Sequence, residues 1–155
     1  MDADYVFVDT GAFIALAASK DRYHEKAGGI YSDLLTRQAN LLTTNYVVNE
    51  TCNWLLYDNT LGHPAARTFG DMIRRVSLPF PLETTIKHRL PVSADLVLIY
   101  PSHDLEGIAW EIFCKYDTSG FSFTDCVSFA VMQHLGIRTV FAFDSHFDML
   151  GFERL

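Results

Sequence analysis

Cysteine is scarce in this sequence and is not spaced for a structural role. The three cysteines, Cys52, Cys114 and Cys126, are an odd number and include no Cys-x-x-Cys pair. Disulfide frameworks and zinc ribbons need paired cysteines at short spacings. We therefore expect neither, and this cysteine usage fits a reducing cytoplasm best.

Long hydrophobic runs are also missing. The longest stretches without a charged residue span 12 residues each, at 38–49 and 126–137, whereas a membrane-spanning helix needs about 20. The first residues carry two acids, Asp2 and Asp4, where a secretory signal would carry basic residues. The sequence thus predicts a cytoplasmic protein with no membrane segment.

Positive charge is in short supply. The chain has 12 Lys and Arg residues against 19 Asp and Glu residues, a formal net charge of −7. Proteins that bind nucleic acids normally present a basic surface. The imbalance disfavours a simple nucleic-acid binder, unless several acids lie together and hold divalent cations, which reverse the local field.

What the sequence does contain is enough apolar residues for one packed domain. Hydrophobic residues make up 49% of its 155 residues, while Gly and Pro together number only 14. A chain of this length buries roughly 70% of the surface that its unfolded form exposes. We therefore expect residues 1–155 to form a single domain.

Short apolar segments alternate with helical ones along the chain. Strands are predicted at Tyr5–Val8, Leu41–Thr43, Leu96–Tyr100 and Thr139–Phe143. Helices are predicted at Thr10–Ala18, Tyr23–Gln38, Asn45–Tyr57, Ala65–Val76, Asp104–Cys114 and Thr124–Leu135. Ser77–Ala94 holds three prolines and shows no period, which predicts a loop or a partly extended segment. The alternation predicts an α/β fold with a mainly parallel sheet.

Two acids follow predicted strands. Asp9 ends the first strand and Asp144 ends the last. Because ligands bind at the carboxyl ends of the strands in such sheets, both acids are expected at the binding edge. Taken singly, each could instead be an ordinary cap or turn residue.

Two further acids lie on predicted helices, on faces that are mostly apolar or aromatic. The helical neighbours of Glu50 are Tyr46, Val47, Asn53, Trp54 and Tyr57, and those of Asp125 are Phe121, Ser122, Ser128, Phe129 and Met132. Both acids are therefore expected to face the core. Buried carboxylates without a partner cost several kcal/mol or become protonated. The alternatives are a helix-dipole role for Asp125 and a snorkelling or interface role for Glu50.

A divalent cation would satisfy all four acids at once. No Lys or Arg near Glu50 or Asp125 in the sequence is an evident ion-pair partner for either acid. Carboxylate oxygens are the ligands that Mg²⁺ and Mn²⁺ prefer. Position alone leaves two readings open, a shared metal site or four unrelated acids.

Three segments decide in favour of the metal site. The segments VFVDTGAFIAL near the start, TTNYVVNETCNWL in the first third and FSFTDCVSFAVMQHLGIRTVFAFDSHFDMLGF at the end resemble the PIN-domain family, most closely the VapC-type toxins of toxin–antitoxin pairs. The resemblance covers Tyr5 to Phe152. It implies a three-layer α/β/α sandwich and a metal-dependent ribonuclease. It maps the family's acidic site onto Asp9, Glu50, Asp125 and Asp144.

The resemblance also implies roles for these residues. Asp9 and Asp125 are predicted as direct metal ligands, and Asp144 completes the site. Glu50 is either a ligand or the base that orients the attacking water. Hydrogen-bond donors behind the ligands are predicted at Thr10, Asn45 and Thr124, although each of these could equally cap its helix.

The sequence departs from the family after the last strand. Many PIN domains carry a second acid two residues beyond the strand-terminal Asp, where this chain has His146. His146 is a candidate contact for a phosphate group. Asp148, one helical turn from Asp144, either substitutes for the missing acid or is a plain surface acid.

RNA would have to be held by cations outside the acidic site. The densest basic positions are Arg74, Arg75, Lys87 and Arg89, so they are predicted to bind RNA, although each could be solvated surface charge. A small antitoxin protein and a second copy of the chain are the expected protein partners, as the resemblance implies.

Competing functions fit the sequence less well. A dinucleotide-binding fold needs a GxGxxG motif after a strand, which is absent. A phosphoaspartyl enzyme needs an acid two residues after its nucleophile, where Asp9 is followed by Thr10 and Gly11. The sequence thus predicts a Mg²⁺- or Mn²⁺-dependent endoribonuclease toxin. The alternative is a catalytically inactive PIN-like scaffold or an RNA-binding module that acts through protein partners.

Overall fold

A single sheet forms the centre of the protein. The computed structural model describes residues 4–92 and 94–155, and within them the chain forms six strands and seven helices. The strands are β1 (Tyr5–Val8), β2 (Asn40–Thr44), β3 (Ser77–Leu82), β4 (Leu96–Pro101), β5 (Thr139–Phe141) and β6 (Glu153–Arg154). Their order in the sheet is β3-β4-β2-β1-β5-β6, and all neighbours are parallel.

The helices cover both faces of this sheet. They are α1 (Thr10–Ala17), α2 (His24–Thr36), α3 (Asn45–Tyr57), α4 (Gly62–Val76), α5 (His103–Lys115), α6 (Phe123–Leu135) and α7 (His146–Met149). The connections from β1 to β2 and from β2 to β3 run toward one edge of the sheet, and the connection from β4 to β5 runs toward the other. Because parallel crossovers are right-handed, α1–α4 and α5–α6 lie on opposite faces. The predicted three-layer α/β/α sandwich is confirmed.

The core lies along the central strands and α6. β1 and β4 are almost wholly apolar and buried, as strands covered on both faces must be. In α6, eight consecutive residues, 125–132, are buried. Its end is set by Gly136, whose φ of 68° is the left-handed conformation that glycine adopts most easily. Along these eight residues the helix is therefore buried on every side, and it holds Asp125 in place.

Ser77–Leu82 forms an edge strand, although its prolines favoured a loop or partly extended segment. Pro79 and Pro81 are two residues apart and both are exposed. On an edge strand, alternate backbone N–H groups face solvent, so a proline there removes no hydrogen bond to β4. All six positions of β3, the prolines included, lie in register with β4, from Ser77–Leu96 to Leu82–Pro101.

The structure also contains two elements that the sequence did not predict. The α7 helix has four residues and β6 has two, which is too short for either period to appear. β6 is held to β5 by backbone bonds, with Glu153 N 2.8 Å from Arg138 O and Leu155 N 3.1 Å from Val140 O. Among the described residues, no helix is both long and apolar enough to cross a membrane.

Candidate active site

Asp9 is fixed at the carboxyl edge of the sheet by its own backbone. It follows β1 directly, and its N–H donates to Phe141 O of β5 at 3.1 Å. Its carboxylate caps α1, accepting from Gly11 N at 3.4 Å, and only 5% of the residue is exposed. Burial, which is the largest cause, and the nearby charges of Asp125 and Glu50 together raise the pKa of Asp9 to about 7, against backbone hydrogen bonds from Thr10 and Gly11 that lower it.

Asp125 approaches the same edge from α6. Ser122 and Asp125 form a reciprocal capping box, with Ser122 N 3.0 Å from Asp125 Oδ2 and Asp125 N 3.1 Å from Ser122 Oγ. The prediction that Asp125 is buried is confirmed, since only 8% of it is exposed. Its charge acts on Asp9, so the two carboxylates lie within electrostatic reach of each other.

Asp144 and His146 complete the edge from the loop after β5. β5 ends at Phe141 rather than at the predicted Phe143, and Asp144 lies in the turn before α7. Asp144 Oδ1 accepts from His146 N at 2.9 Å. His146 Nδ1 lies 3.0 Å from Asp125 Oδ2 and 3.2 Å from Asp144 Oδ2. The candidate phosphate contact therefore joins two of the predicted acids in this structure.

Glu50 does not face the core, so that prediction was wrong. The buried stripe of α3 is Val47, Thr51 and Leu55, and Glu50 is half-buried beside it. Trp54, on the same face of α3 as Glu50, is exposed at the surface. The prediction counted it as a core residue and therefore placed the buried face of α3 on the side of Glu50. The Glu50 carboxylate nevertheless raises the pKa of Asp9, which places it at the same edge.

The predicted donors behind the acids are not helix caps. The caps of α1, α3 and α6 are Asp9, Thr44 and Ser122, so the capping alternative was wrong for Thr10, Asn45 and Thr124. Among the residues that the structure describes, Thr10 Oγ1 and Asn45 Oδ1 are buried atoms without a hydrogen-bond partner. Buried polar atoms of this kind call for an explanation.

The chemistry of this edge fits a hard divalent cation. Asp9, Glu50, Asp125, Asp144 and the unpartnered oxygens of Thr10 and Asn45 offer only oxygen atoms, the ligands preferred by Mg²⁺ and Mn²⁺. Within residues 4–92 and 94–155, no three His, Cys, Asp or Glu side chains are grouped closely enough to coordinate one ion. Instead, Asp125 and Asp144 share His146. The donor set is therefore suited to a metal, and its side chains are not grouped as a finished coordination shell.

Asp148 is engaged away from the acids. Arg154 binds its carboxylate with two hydrogen bonds, from Nε at 2.8 Å and from Nη2 at 2.6 Å. The hydrogen bond from Arg154 lowers the pKa of Asp148. Of the two predicted roles for Asp148, this geometry favours the surface acid, since the carboxylate already has a cationic partner.

Comparisons with known proteins identify the family of this chain. A family model described as "PIN domain" matches residues 6–153. The chain belongs to the PIN-domain family. Two curated relatives, both called "23S rRNA-specific endonuclease VapC20", come from Mycobacterium tuberculosis strains CDC 1551 / Oshkosh and ATCC 25618 / H37Rv. Each is 31% identical over 147 residues, which are 95% of this chain and 95% of the relative.

A solved structure supports the same relationship. The crystal structure of Mycobacterium tuberculosis VapC20, described as a sarcin-ricin loop cleaving toxin, superposes with a TM-score of 0.72. It is 29% identical in sequence, and the alignment covers 95% of both chains. The PIN fold therefore extends over nearly the whole described chain.

The basic residues predicted to bind RNA lie mostly toward the other end of this PIN domain. Arg74 and Arg75 are in the last turn of α4, directly before β3 begins, and so lie at the amino edge of the sheet. Next to Arg89, the Leu90 carbonyl accepts from the Tyr5 hydroxyl at the start of β1. Lys87 is exposed in the connection from β3 to β4. Charge density along the sequence does not reveal which sheet edge a residue occupies.

The structure shows a different set of residues beside the acids. An open cleft of about 650 Å³ borders Asp144 and Gly11, and Arg22, Tyr23 and Trp54 contribute to its walls. These residues could not be grouped from the sequence because they come from separate segments. The pair Arg22-Tyr23 was the signal available, but nothing in the sequence alone joins it to Trp54.

Proposed function

We propose that this PIN domain is a Mg²⁺- or Mn²⁺-dependent endoribonuclease and the toxin of a toxin–antitoxin pair. One observation carries the proposal: the Asp9 carboxylate is buried at the carboxyl edge of the sheet and its pKa is raised by burial, Asp125 and Glu50. Among the described residues, no Lys, Arg or His forms an ion pair with Asp9. A site with excess buried negative charge is suited to a divalent cation.

The residues proposed to hold the metal are Asp9, Glu50, Asp125 and Asp144. A bound divalent ion supplies a water of lowered pKa at the phosphodiester. Asp9 is held rigidly because its backbone bonds β5 and its carboxylate caps α1. Glu50, half-buried on α3, is a ligand or the base that orients the water. Behind these carboxylates, the Thr10 hydroxyl would donate to a carboxylate oxygen, and Asn45 Oδ1, which can only accept, would accept from a water molecule in the site.

The partners of this site follow from the same proposal. The related VapC20 is named for cleavage of 23S rRNA, so ribosomal RNA is the first substrate to test. A ribonuclease in the cytoplasm needs restraint, which a small antitoxin would provide by covering the acids with Arg or Lys. We also propose a homodimer, to be measured by light scattering.

The test of the proposal is cleavage of RNA by matched variants. Asp9→Asn and Asp125→Asn remove a charge and keep the shape. We expect cleavage of ribosomal RNA to fall about 1,000-fold or more, because metal catalysis contributes several kcal/mol and each 1.36 kcal/mol is tenfold in rate. Asp71→Asn is the control, since Asp71 is a surface acid paired with Arg67 at 3.6 Å. Its activity should equal that of the wild type.

Two outcomes would contradict the proposal. Cleavage that survives excess chelator would rule out the metal. A wild type that binds RNA but never cleaves it would leave the alternative, an inactive PIN-like scaffold or RNA-binding module acting through protein partners. The toxin assignment has its own test. Expression should arrest growth, and co-expression of the antitoxin, which we expect a neighbouring small gene to encode, should restore it.

A further inference from the structure

The cleft beside the acids, called here the Arg22 cleft, is built from five parts of the chain. They are α1 with Gly11, the segment before α2 with Arg22 and Tyr23, α3 with Trp54, the loop after β5 with Phe143 and Asp144, and β6 with Arg154. Its volume of about 650 Å³ lies in the range of about 300–1,000 Å³ that is typical of small-molecule sites. It is therefore large enough for one nucleotide.

The Arg22 cleft opens directly onto the acidic edge. Gly11, in its wall, donates its N–H to the Asp9 carboxylate at 3.4 Å. Asp144, which also lines the cleft, shares His146 with Asp125. A group bound in the cleft would thus lie next to the phosphodiester held by the acids.

The cleft contains a cation that is not neutralised. Arg22 is exposed, and its guanidinium lies 4.6 Å from the centre of the Tyr23 ring. Across the described part of the chain, no carboxylate pairs with it. Arg154, by contrast, is already paired with Asp148 and also donates to the Phe143 carbonyl at 3.0 Å. Among the residues that line the cleft, Arg22 is thus the cation without a carboxylate partner, and Lys26 Nζ lies nearby, 5.6 Å from the centre of the Phe143 ring.

The cleft also contains aromatic surface. Tyr23 and Phe143 stack with their ring centres 4.4 Å apart and their planes at 4°, which fixes the wall that carries Arg22. Trp54 is 42% exposed. Within the described residues, its indole stacks on no other ring. An exposed indole beside an unpaired guanidinium is how single-stranded nucleic acids are commonly held.

We infer that the Arg22 cleft binds one unpaired nucleotide of the RNA, adjacent to the bond that is cut. Arg22 binds its phosphate and Trp54 stacks on its base. The base must be unpaired, because a base inside a duplex has no free face. The inference rests on the proposed ribonuclease function for the identity of the ligand. What it adds are the residues that hold the RNA on one side of the cut, Arg22 at the phosphate and Trp54 at the base.

The first experiment measures binding, independently of cleavage. Trp110→Phe leaves Trp54 as the sole tryptophan, since the chain has two. A single-stranded RNA hexamer, titrated in chelator and again in Mn²⁺, should quench Trp54 fluorescence and saturate. Anisotropy of a labelled hexamer should show binding about tenfold weaker in Trp54→Ala. Trp54→Phe should retain most of the affinity because it retains a stacking ring.

Arg22 has a separate signature and a matched control. Arg22→Ala should weaken binding and reduce the salt dependence of log K by about 0.7, the value for one phosphate contact on a single strand. Arg138→Ala is the control. Arg138 is also exposed but directly precedes β5, at the amino edge of the sheet. It should leave both the affinity and the salt dependence unchanged.

The second experiment separates this inference from the proposed function. An abasic site placed beside the cleavage position should lower kcat/KM for the wild type as much as Trp54→Ala does. In Trp54→Ala the same abasic site should have no further effect, because the stacking partner is already gone. A protein that cleaves no RNA would refute the proposed function, and the binding data would still show whether the cleft binds RNA.

The inference is overturned by either of two results. One is absence of saturable Trp54 quenching in both chelator and Mn²⁺. The other is unchanged RNA affinity in both Arg22→Ala and Trp54→Ala, with circular dichroism showing that the variants are folded. If these variants instead lose binding to the protein of the neighbouring small gene, the cleft is a protein-binding surface.

Discussion

The negative charge on the two sides of the acidic edge is compensated very differently. On one side, Asp125 and Asp144 share the imidazole of His146, at 3.0 and 3.2 Å. On the other, Asp9 is buried and faces like charge, and backbone N–H groups are its only hydrogen-bond donors among the described residues. The comparison shows where a cation is missing. The negative charge that the fold leaves uncompensated is concentrated where β1 meets α1.

This difference has a structural origin. Asp9 cannot turn toward solvent because its backbone is bonded to β5 and its side chain caps α1. Asp144 lies in a turn, and about half of its side chain is exposed. Water can therefore screen Asp144 but not Asp9.

The largest expected effect comes from removing the charge of Asp9. Its folded-state pKa of about 7 lies above the ordinary value of 3.8, so the folded state binds the proton more tightly. Without metal, the stability that Asp9 contributes is therefore fully present below about pH 4 and is lost as the pH rises to about 7. Three pKa units correspond to a free energy on the order of 4 kcal/mol. Asp9→Asn removes this loss, and urea unfolding in chelator at about pH 4 and pH 8 measures it.

Asp144→Asn is the matched control for this prediction. It makes the same chemical change on the side of the edge that His146 and solvent already balance. Its unfolding free energy should keep the pH dependence of the wild type. Parallel pH profiles for the wild type and Asp9→Asn would show that Asp9 carries no excess charge.

The next effect is the response to metal. With Mn²⁺ at a hundredfold excess over its Kd, the wild type should gain about 2.7 kcal/mol of stability. For a chain of this size, that is a rise of roughly 5–10 °C in Tm. Asp9→Asn should gain much less. Thermal melts of both proteins with and without Mn²⁺ check this, and equal shifts would place the metal away from Asp9.

Much of this molecule could be predicted from its sequence. β1, β4 and β5 are buried apolar runs, and α3 was predicted with its observed ends, Asn45 and Tyr57. Periodicity identifies such elements because the pattern repeats over several residues. β3 was harder, since prolines usually exclude a strand and are tolerated here only because this one is at the edge.

The site could be predicted less completely. Asp9 and Asp125 were expected to be buried and are, because strand ends and the first turn of a core helix have definite positions. The orientation of Glu50 was wrong, because exposed Trp54 resembles a core residue in a helical pattern. The role of Arg154 could not be predicted, since it reaches Asp148 only through the two-residue strand β6.

A smaller effect is expected when the imidazole that bridges two of the acids is removed. His146→Ala takes away the imidazole between Asp125 and Asp144 and its edge contact with Phe121 at 5.1 Å. We expect a loss of about 1 kcal/mol in the metal-free protein, the usual scale for a hydrogen bond between partly buried groups. Urea unfolding measures it, with His63→Ala at the exposed start of α4 as control. A loss no greater than that of the control would mean that His146 balances neither acid.

The smallest expected effect is at Asp148, and it tests whether the acidic site extends to this residue. Its carboxylate is exposed and bound by Arg154 through two hydrogen bonds, so Asp148→Asn removes a surface pair worth less than about 1 kcal/mol. RNA cleavage should stay at the wild-type level, because the carboxylate already has its cation and contributes nothing to the charge around Asp9. Kinetics of RNA cleavage for Asp148→Asn beside Asp144→Asn measure the difference. A loss of activity in Asp148→Asn as large as that in Asp144→Asn would mean that Asp148 leaves Arg154 and joins the metal site, and the site would then have five acids.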